Sequence, residues 1–262
     1  MGKARVIAIA NQKGGVAKTT CCHNLAVALA QHKKKVLMID LDSQASLTFC
    51  AGIQDPVEYE GHNIVALLDR DTKIDVHECI VPVGATPELK GYLFLIPSLI
   101  DLAMTEAKLY SQISRELTLR KAIQPVLGEY DYIVLDCPPQ LGLLTINGLS
   151  AADGVIVPCK TDELAYRGLK QLDDTIADIQ GMVNPELKVL GVIATLYQQR
   201  VKTDKEIYSK LMDEYKVIGL MKQAAVAKKG VFDGISAVEY MPTHEISVVM
   251  INIADRIIRG DI

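Results

Sequence analysis

Short apolar runs rich in β-branched residues alternate along the chain with stretches whose apolar residues recur three and four positions apart. Val6-Ile7-Ala8-Ile9-Ala10 and Val36-Leu37-Met38-Ile39 read as the first two strands. Tyr92-Leu93-Phe94-Leu95-Ile96, Tyr132-Ile133-Val134-Leu135, Val155-Ile156-Val157 and residues 189–194 follow in the same style. Runs that are apolar at successive positions suit strands buried on both faces, the mark of a parallel sheet. Between them, Cys22, Leu25, Ala26 and Leu29 predict a helix with one buried face. Leu169, Leu172, Ile176 and Ile179 predict a second such helix, and Ile246, Val249, Met250, Ile253 and Ile257 a last one. The alternation predicts an α/β fold, a doubly wound, mostly parallel sheet flanked by helices on both faces. Residues 52–61 read as the loosest surface loop. With no internal repeat, low-complexity tract or long linker, residues 1–262 read as a single domain.

Composition narrows the function classes rather than the fold. Hydrophobic residues make up 49% and charged residues 23%, so neither disorder nor a fibrous protein fits. A net charge of −4 gives no global attraction to nucleic acid or acidic lipid, so any such binding must be local. No apolar stretch approaches the roughly 20 residues of a membrane span. The first strand begins too early for a signal peptide, and the six cysteines show no paired metal spacing. They read as reduced thiols of a cytoplasmic protein.

The chemistry begins where the first strand ends. Lys13-Gly14-Gly15-Val16-Ala17-Lys18-Thr19-Thr20 turns from a strand into a helix through glycines. Such a turn aims backbone N–H groups and a helix N-terminus at one point, which suits phosphate. Gly14, Gly15, Val16, Ala17, Lys18, Thr19 and Thr20 are the candidate cradle for ATP. In it Lys18 would reach the β- and γ-phosphates and the Thr19 hydroxyl would ligate Mg²⁺. A glycine turn followed by an incidental Lys-Thr pair is the plain alternative.

Two further strand ends carry acids. Met38-Ile39-Asp40-Leu41-Asp42 places two carboxylates at the carboxyl end of the second strand, where α/β sheets bind ligands. Asp40 and Asp42 cannot point the same way unless the strand has ended by Leu41, and a pair that caps the next helix is the alternative. Tyr132-Ile133-Val134-Leu135-Asp136-Cys137-Pro138-Pro139 is a buried strand ending in an acid, the Walker B pattern. Asp136 would hold Mg²⁺ through a water, since phosphoryl transfer in P-loop proteins rests on positioning and charge neutralisation.

The second lysine at the loop's start, with Ala17 where glycine is usual before Lys18, resembles the deviant Walker A loop of the ParA/MinD family of P-loop ATPases. Asp40-Leu41-Asp42-Ser43-Gln44 resembles that family's switch with Ser43 in place of proline, and Asp136-Cys137-Pro138-Pro139 resembles its D-x-P-P segment. Ala10-Asn11-Gln12 and residues 158–168 are similar to Soj-type ParA proteins, and the resemblance covers nearly the whole chain. It implies that Lys13 reaches across a homodimer to the partner's ATP, that Asp42 positions or polarises the attacking water, and that Asp40 is an outer-shell partner of Mg²⁺. Lys13 read without the resemblance is a solvated loop lysine. Residues 222–234 lack the family's Glu-Ala-Pro motif, so no adenine or dimer contact is carried over from there.

The resemblance also implies an ATP-bound dimer that binds double-stranded DNA without sequence preference and is released when a ParB-like, centromere-bound partner stimulates hydrolysis. Residues 196–230 hold eight basic and four acidic side chains, +4 against −8 for the remainder. That segregation is what phosphate-backbone binding needs. Arg200, Lys202, Lys222, Lys228 and Lys229 are the candidate DNA contacts, with a solvated helix face as the alternative. A MinD-like membrane ATPase would carry a basic amphipathic tail, whereas Arg256-Ile257-Ile258-Arg259-Gly260-Asp261-Ile262 is short and charge-balanced. An iron–sulfur carrier of the same superfamily would need placed cysteine ligands, and no Cys-x-x-Cys occurs. The early loop predicts no N-terminal DNA-reading domain. The expectation is a partition ATPase in the cytoplasm, associated with the nucleoid.

Overall fold

The computed structural model describes residues 2–223 and 234–262. Its elements run β1 (Arg5–Ile9), α1 (Lys18–Gln31), β2 (Val36–Asp40), α2 (Ser46–Cys50), α3 (Ile64–Leu68), β3 (Val81–Pro82), β4 (Leu93–Ile96) and α4 (Leu102–Leu109). They continue with α5 (Thr118–Ala122), β5 (Tyr132–Asp136), α6 (Leu143–Ala151), β6 (Gly154–Lys160), α7 (Glu163–Met182), β7 (Lys188–Tyr197) and α8 (Lys202–Glu214). The described chain closes with β8 (Val217–Lys222), α9 (Ala237–Tyr240) and α10 (Glu245–Arg259).

The strands form one sheet in the order β3-β4-β2-β5-β1-β6-β7-β8. Every neighbouring pair is parallel except β3 with β4. Alternate residues of each run enter different cores. Val6 and Ala8 face one, Ile7 and Ile9 the other, and Leu37 with Ile39 part in the same way from Val36 with Met38. The helices follow that division, α1, α9 and α10 on one face and α4 to α8 on the other. This is why the strands read as continuous apolar runs.

The departures from the sequence reading have physical causes. Helix α1 is buried at every residue from Cys21 to Ala30, not on one face, because α2, α9 and α10 pack against it as well as the sheet. The α7 stripe is buried as expected, and so is that of α10 except for the half-buried Val249. Strands β3 and β8 were not anticipated. β8 is an edge strand with Gly219 at its centre, where a Cβ would come 2.7 Å from Val249 of α10. The glycine weakens the strand signal and lets the helix approach. Residues 52–61 are exposed or half-buried and include one 3₁₀ turn, Pro56–Tyr59, capped by Asp55.

The order β2-β5-β1-β6 places the switch in winding direction at the centre of the sheet. The chain leaving β1 passes through α1 on one face, and the chain leaving β5 passes through α6 on the other. Loops diverging at such a point open a crevice at the carboxyl ends of the strands.

Candidate phosphate-binding site

Residues 10–17 connect β1 to α1 in that crevice, and three hydrogen bonds, two of them buried, hold them. The Asn11 amide donates to the Pro158 carbonyl at 2.7 Å, and its oxygen accepts the Lys13 N–H at 2.9 Å. The Thr195 hydroxyl donates to the Val16 carbonyl at 3.0 Å. The strand ends of β6 and β7 thus pin the loop from one side. Gly15 and Ala17 both take left-handed backbone, φ 72° and 69°. Ala17 is also the N-cap of α1, and neither it nor an acid in the first turn caps the helix. The helix therefore offers its first N–H groups and its positive end to a ligand.

Lys18 lies over this turn. Its ammonium donates to the Lys13 carbonyl at 3.2 Å and is mostly buried. Burial lowers its pKa, against the pull of Asp136. The Lys13 side chain is half-buried and makes no ion pair among the described residues. It lies close enough to Asp162 to act on it: burial works to raise that carboxyl, and the Ala165 N–H, Lys160 and Lys13 outweigh it.

The acids behave differently from one another. β2 and β5 are neighbours, and Asp40 and Asp136 are register partners at their ends. The Thr19 hydroxyl donates to Asp136 Oδ2 at 2.6 Å, while Asp136 Oδ1 is buried without a hydrogen-bond partner. Burial and the charge of Asp40 push the Asp136 carboxyl well above its ordinary range, against the Thr19 bond. Asp40 is fully engaged. Its Oδ2 accepts from both the Thr48 N–H and hydroxyl at 2.8 Å, and its Oδ1 accepts the Asp42 N–H at 3.1 Å. Burial raises it to about 6. Asp40 therefore also holds the first turn of α2 through Thr48, although the N-cap, Ala45, has no side-chain cap and Asp42 bonds the turn before the helix. Asp42 lies beyond the strand in a turn, accepts the Gln44 N–H at 3.0 Å, and is half-buried.

The loop, Thr19, Thr20 and Asp42 line one cavity of about 470 Å³, with Phe49, Cys50 and Pro139 on its apolar side. Among the described residues no cluster of three His, Cys, Asp or Glu side chains could hold a metal alone. Magnesium nevertheless suits the Thr19–Asp136 pair, because Oδ1 of Asp136 is buried without a hydrogen-bond partner and burial beside Asp40 holds that carboxyl above its ordinary range in spite of Lys18. Magnesium ordinarily takes its remaining oxygens from phosphate and water. A larger cleft of about 610 Å³ lies at the opposite, amino edge of the sheet. There Arg5, Lys188 and Lys216 are matched by Asp153 and Glu186, and no helix N-terminus or glycine loop is present.

The described part of the basic segment is spread over β7, α8 and both ends of β8. Arg200 sits in the exposed turn between β7 and α8, with no ion pair among the described residues. Lys202 opens α8 and faces Glu206 at 3.6 Å. Lys222 ends β8 beside Tyr197 but pairs with Glu245 at 3.0 Å. Lys216 precedes β8, at the amino end of that strand, opposite Lys222. Lys228 and Lys229 lie outside the described residues. Sequence reasoning missed Thr48 and the anchoring role of Thr195, both polar residues buried against the site. Among the described residues no helix is long and apolar enough to cross a membrane.

Residues 4–189 match the family model described as an AAA domain. The sporulation initiation inhibitor protein Soj of Bacillus subtilis is 42% identical over 201 residues, 76% of this chain and 75% of that protein. The chromosome partitioning protein ParA of Myxococcus xanthus is 40% identical over 214 residues, 81% of this chain and 72% of that protein. The chain spans 65% of the length of two uncharacterized Mycobacterium tuberculosis relatives, 36% identical to it. Among solved structures, a cobyrinic acid a,c-diamide synthase from Mycobacterium smegmatis, with bound ATP analogue and magnesium, is 35% identical. It superposes with a TM-score of 0.80 over 98% of this chain and 95% of that one. With its double-lysine phosphate loop, its acid-ended β2 and β5 and these relatives, the chain belongs to the ParA/Soj type of deviant Walker A P-loop ATPases.

Proposed function

We propose that the chain is a partition ATPase that binds ATP with Mg²⁺, pairs with a second copy, holds non-specific double-stranded DNA as a dimer, and releases it on hydrolysis. A ParB-like centromere-binding protein would stimulate that slow hydrolysis, in the cytoplasm and on the nucleoid. The observation that carries the reading is the contact of Thr19 with Asp136 beneath an uncapped helix N-terminus. The M. smegmatis neighbour, with its ATP analogue and magnesium, supports the same ligand here.

Each residue's part follows from where it stands. The N–H groups from Gly14 to Thr20 bind phosphate oxygens, and Lys18, already desolvated, gives them a cation that water screens little. Magnesium, held by the Thr19 hydroxyl and through water by Asp136, would neutralise charge on the β- and γ-phosphate oxygens. Asp42 borders the cavity with its Oδ2 not committed to Gln44, so it can orient a water for in-line attack. Lys13 has no ion-pair partner of its own among the described residues, and in a face-to-face dimer its ammonium would reach the other copy's γ-phosphate. Arg200, with Lys202, Lys222 and the pair Lys228 and Lys229, would then meet the DNA backbone. ATP can favour the DNA-bound state only by binding the dimer more tightly than the monomer.

The test is DNA binding with ATP, with ADP and without nucleotide, for the unmodified chain and Asp42→Ala. Binding that needs ATP, and persists in Asp42→Ala because turnover stops, is expected. DNA binding indifferent to nucleotide would sink the reading. An amide-forming activity, such as the neighbour's name suggests for that protein, is less well supported in this chain. Burial raises all six thiols above their ordinary range, so none is an activated nucleophile for freeing ammonia from an amide donor.

A further inference from the structure

Helix α6 starts where the loop that follows Asp136 ends, and it brings no cap of its own. Its N-cap, Gly142, has extended backbone and no side chain, and the first turn holds no acid. The first N–H groups of such a helix need acceptors, and its partial positive charge favours a carboxylate. Both needs are met from another element. Glu106 of α4, half-buried, accepts the Leu144 N–H through Oε1 at 3.2 Å. It makes no ion pair among the described residues, so its charge is left to the helix end. A Cβ on Gly142 would stand 2.5 Å from that same oxygen, so the carboxylate occupies the place of the missing side chain.

Helix α6 in turn bears on both acid-ended strands. The Thr145 hydroxyl donates to the Gln140 carbonyl at 2.6 Å and stands 3.5 Å from that of Pro138, which ties the loop to the helix. Between those two residues Pro139 lines the phosphate cavity, against Gly14. Further along the helix, a Cβ on Gly148 would stand 2.8 Å from Cys137 Sγ and 3.2 Å from Leu41, so the glycine lets α6 come close. Cys137 follows Asp136, and Leu41 lies between Asp40 and Asp42. Packing this tight transmits a displacement instead of absorbing it.

We propose that Glu106 is a positioning residue for ATP hydrolysis. By capping α6 from α4 it fixes residues 137–142 and, through Leu41 and Cys137, the setting of Asp42 and Asp136. The phosphate cradle itself is pinned from β6 and β7, by Asn11 on Pro158 and by Thr195 on Val16. A shifted α6 therefore leaves the cradle in place while it moves the groups that would orient water, and a small misplacement costs an in-line attack more than it costs binding. Binding and turnover should separate. The role of Glu106 rests on the ATPase reading above, whereas the cap does not.

The test measures ATP turnover with magnesium, affinity for a fluorescent ATP analogue, and hydrogen exchange along α6, all on the full chain. Glu106→Ala should lower kcat about tenfold while KM and analogue affinity stay within about twofold. Exchange of the N-terminal amides of α6 should quicken in the same variant. Glu106→Gln keeps an acceptor for the Leu144 N–H without the charge, and should fall between Glu106→Ala and the unmodified chain. Gly142→Asp, added to Glu106→Ala, gives α6 a cap of its own in backbone that suits one, and should bring kcat back to within about threefold. Circular dichroism melting confirms that the variants fold. Unchanged kcat in Glu106→Ala, with or without faster exchange, overturns the proposal. So does an equal loss of affinity and turnover, or a kcat that Gly142→Asp fails to restore. An unmodified chain that turns over no ATP sinks the ATPase reading and the positioning role together, and the exchange data then report the cap alone.

Discussion

The Thr19 hydroxyl donates to Asp136 Oδ2 at 2.6 Å across the join between α1 and β5, two elements far apart in the chain. The bond leaves Oδ1 of the same carboxylate buried and unpaired, with Asp40 beside it on the neighbouring strand. A buried polar group without a partner is costly, and folded proteins tolerate it where a ligand completes it. Asp136→Asn removes the charge but keeps an acceptor for Thr19. Nucleotide affinity measured with magnesium should fall roughly 10- to 100-fold, while affinity in EDTA changes little. Differential scanning should show the ligand-free variant no less stable than the unmodified chain. An equal loss of affinity in both conditions would mean that Asp136 acts on the fold of the loop rather than on the metal.

Ala17 holds φ 69° at the head of α1, and Ala45 holds φ 52° at the head of α2. An L-residue in that region costs roughly 1–2 kcal/mol, which glycine avoids. Glycine also loses more entropy on folding, roughly 0.5–1 kcal/mol, so the two effects partly cancel. Ala17→Gly should therefore raise Tm slightly or leave it unchanged, in contrast to the loss that glycine causes inside a helix. A fall of several degrees would show that the Ala17 methyl packs for more than its backbone costs.

Lys13 through Thr20 could be read in the sequence because the chemistry is local: the turn, the cation and the hydroxyl all lie within one loop. Asp136 was legible because a buried strand ending in an acid needs no knowledge of its neighbours. Thr48 was not, since only the turn through Ala45 brings α2 back over Asp40. All-round burial of α1 depends on α10, at the far end of the chain, and no local period reports it. The charge count over residues 196–230 could not show that Lys216 and Lys222 stand at opposite ends of β8.

Lys13 and Lys18 are placed differently in one loop. Lys18 is committed inward to the Lys13 carbonyl, whereas the Lys13 side chain has no ion-pair partner among the described residues. Lys13→Ala should bind a fluorescent ATP analogue within a few-fold of the unmodified chain but fail to dimerise by light scattering or to hydrolyse ATP. Lys18→Ala should lose the nucleotide itself. Identical behaviour of the two variants would place Lys13 in its own chain's phosphate site instead of across an interface.

Away from the site, His77 bridges Asp75 at 2.6 Å and Glu129 at 2.7 Å. Those bonds, Glu129 first, raise the imidazole above its ordinary 6.5. A raised histidine contributes stability that is full below the unfolded value and is lost as pH rises through the folded one. The group is half exposed, so solvent keeps the effect small. His77→Gln should lower Tm slightly at about pH 5.5 and not at about pH 8.5. A difference constant with pH would assign the effect to packing of the 3₁₀ turn Val76–Cys79.

Arg200 is the candidate DNA contact with the least competition. Lys202 faces Glu206 and Lys222 is paired to Glu245, so each must give up a carboxylate before it meets a phosphate. Arg200 stands in an exposed turn one position before Val201, the N-cap of α8. Each phosphate contact releases counterions, so the slope of log affinity against log salt falls by roughly 0.9 for each contact removed. Arg200→Ala should weaken DNA binding of the ATP-bound protein and flatten that slope by about one, or about two if both copies of a dimer touch DNA. Lys222→Ala should change it less, because Glu245 already offsets that charge. Binding to DNAs of different sequence should weaken equally. A variant with lower affinity but an unchanged salt slope would show that Arg200 supports the fold of the turn, and the proposed DNA contact would then have to be sought elsewhere on the chain.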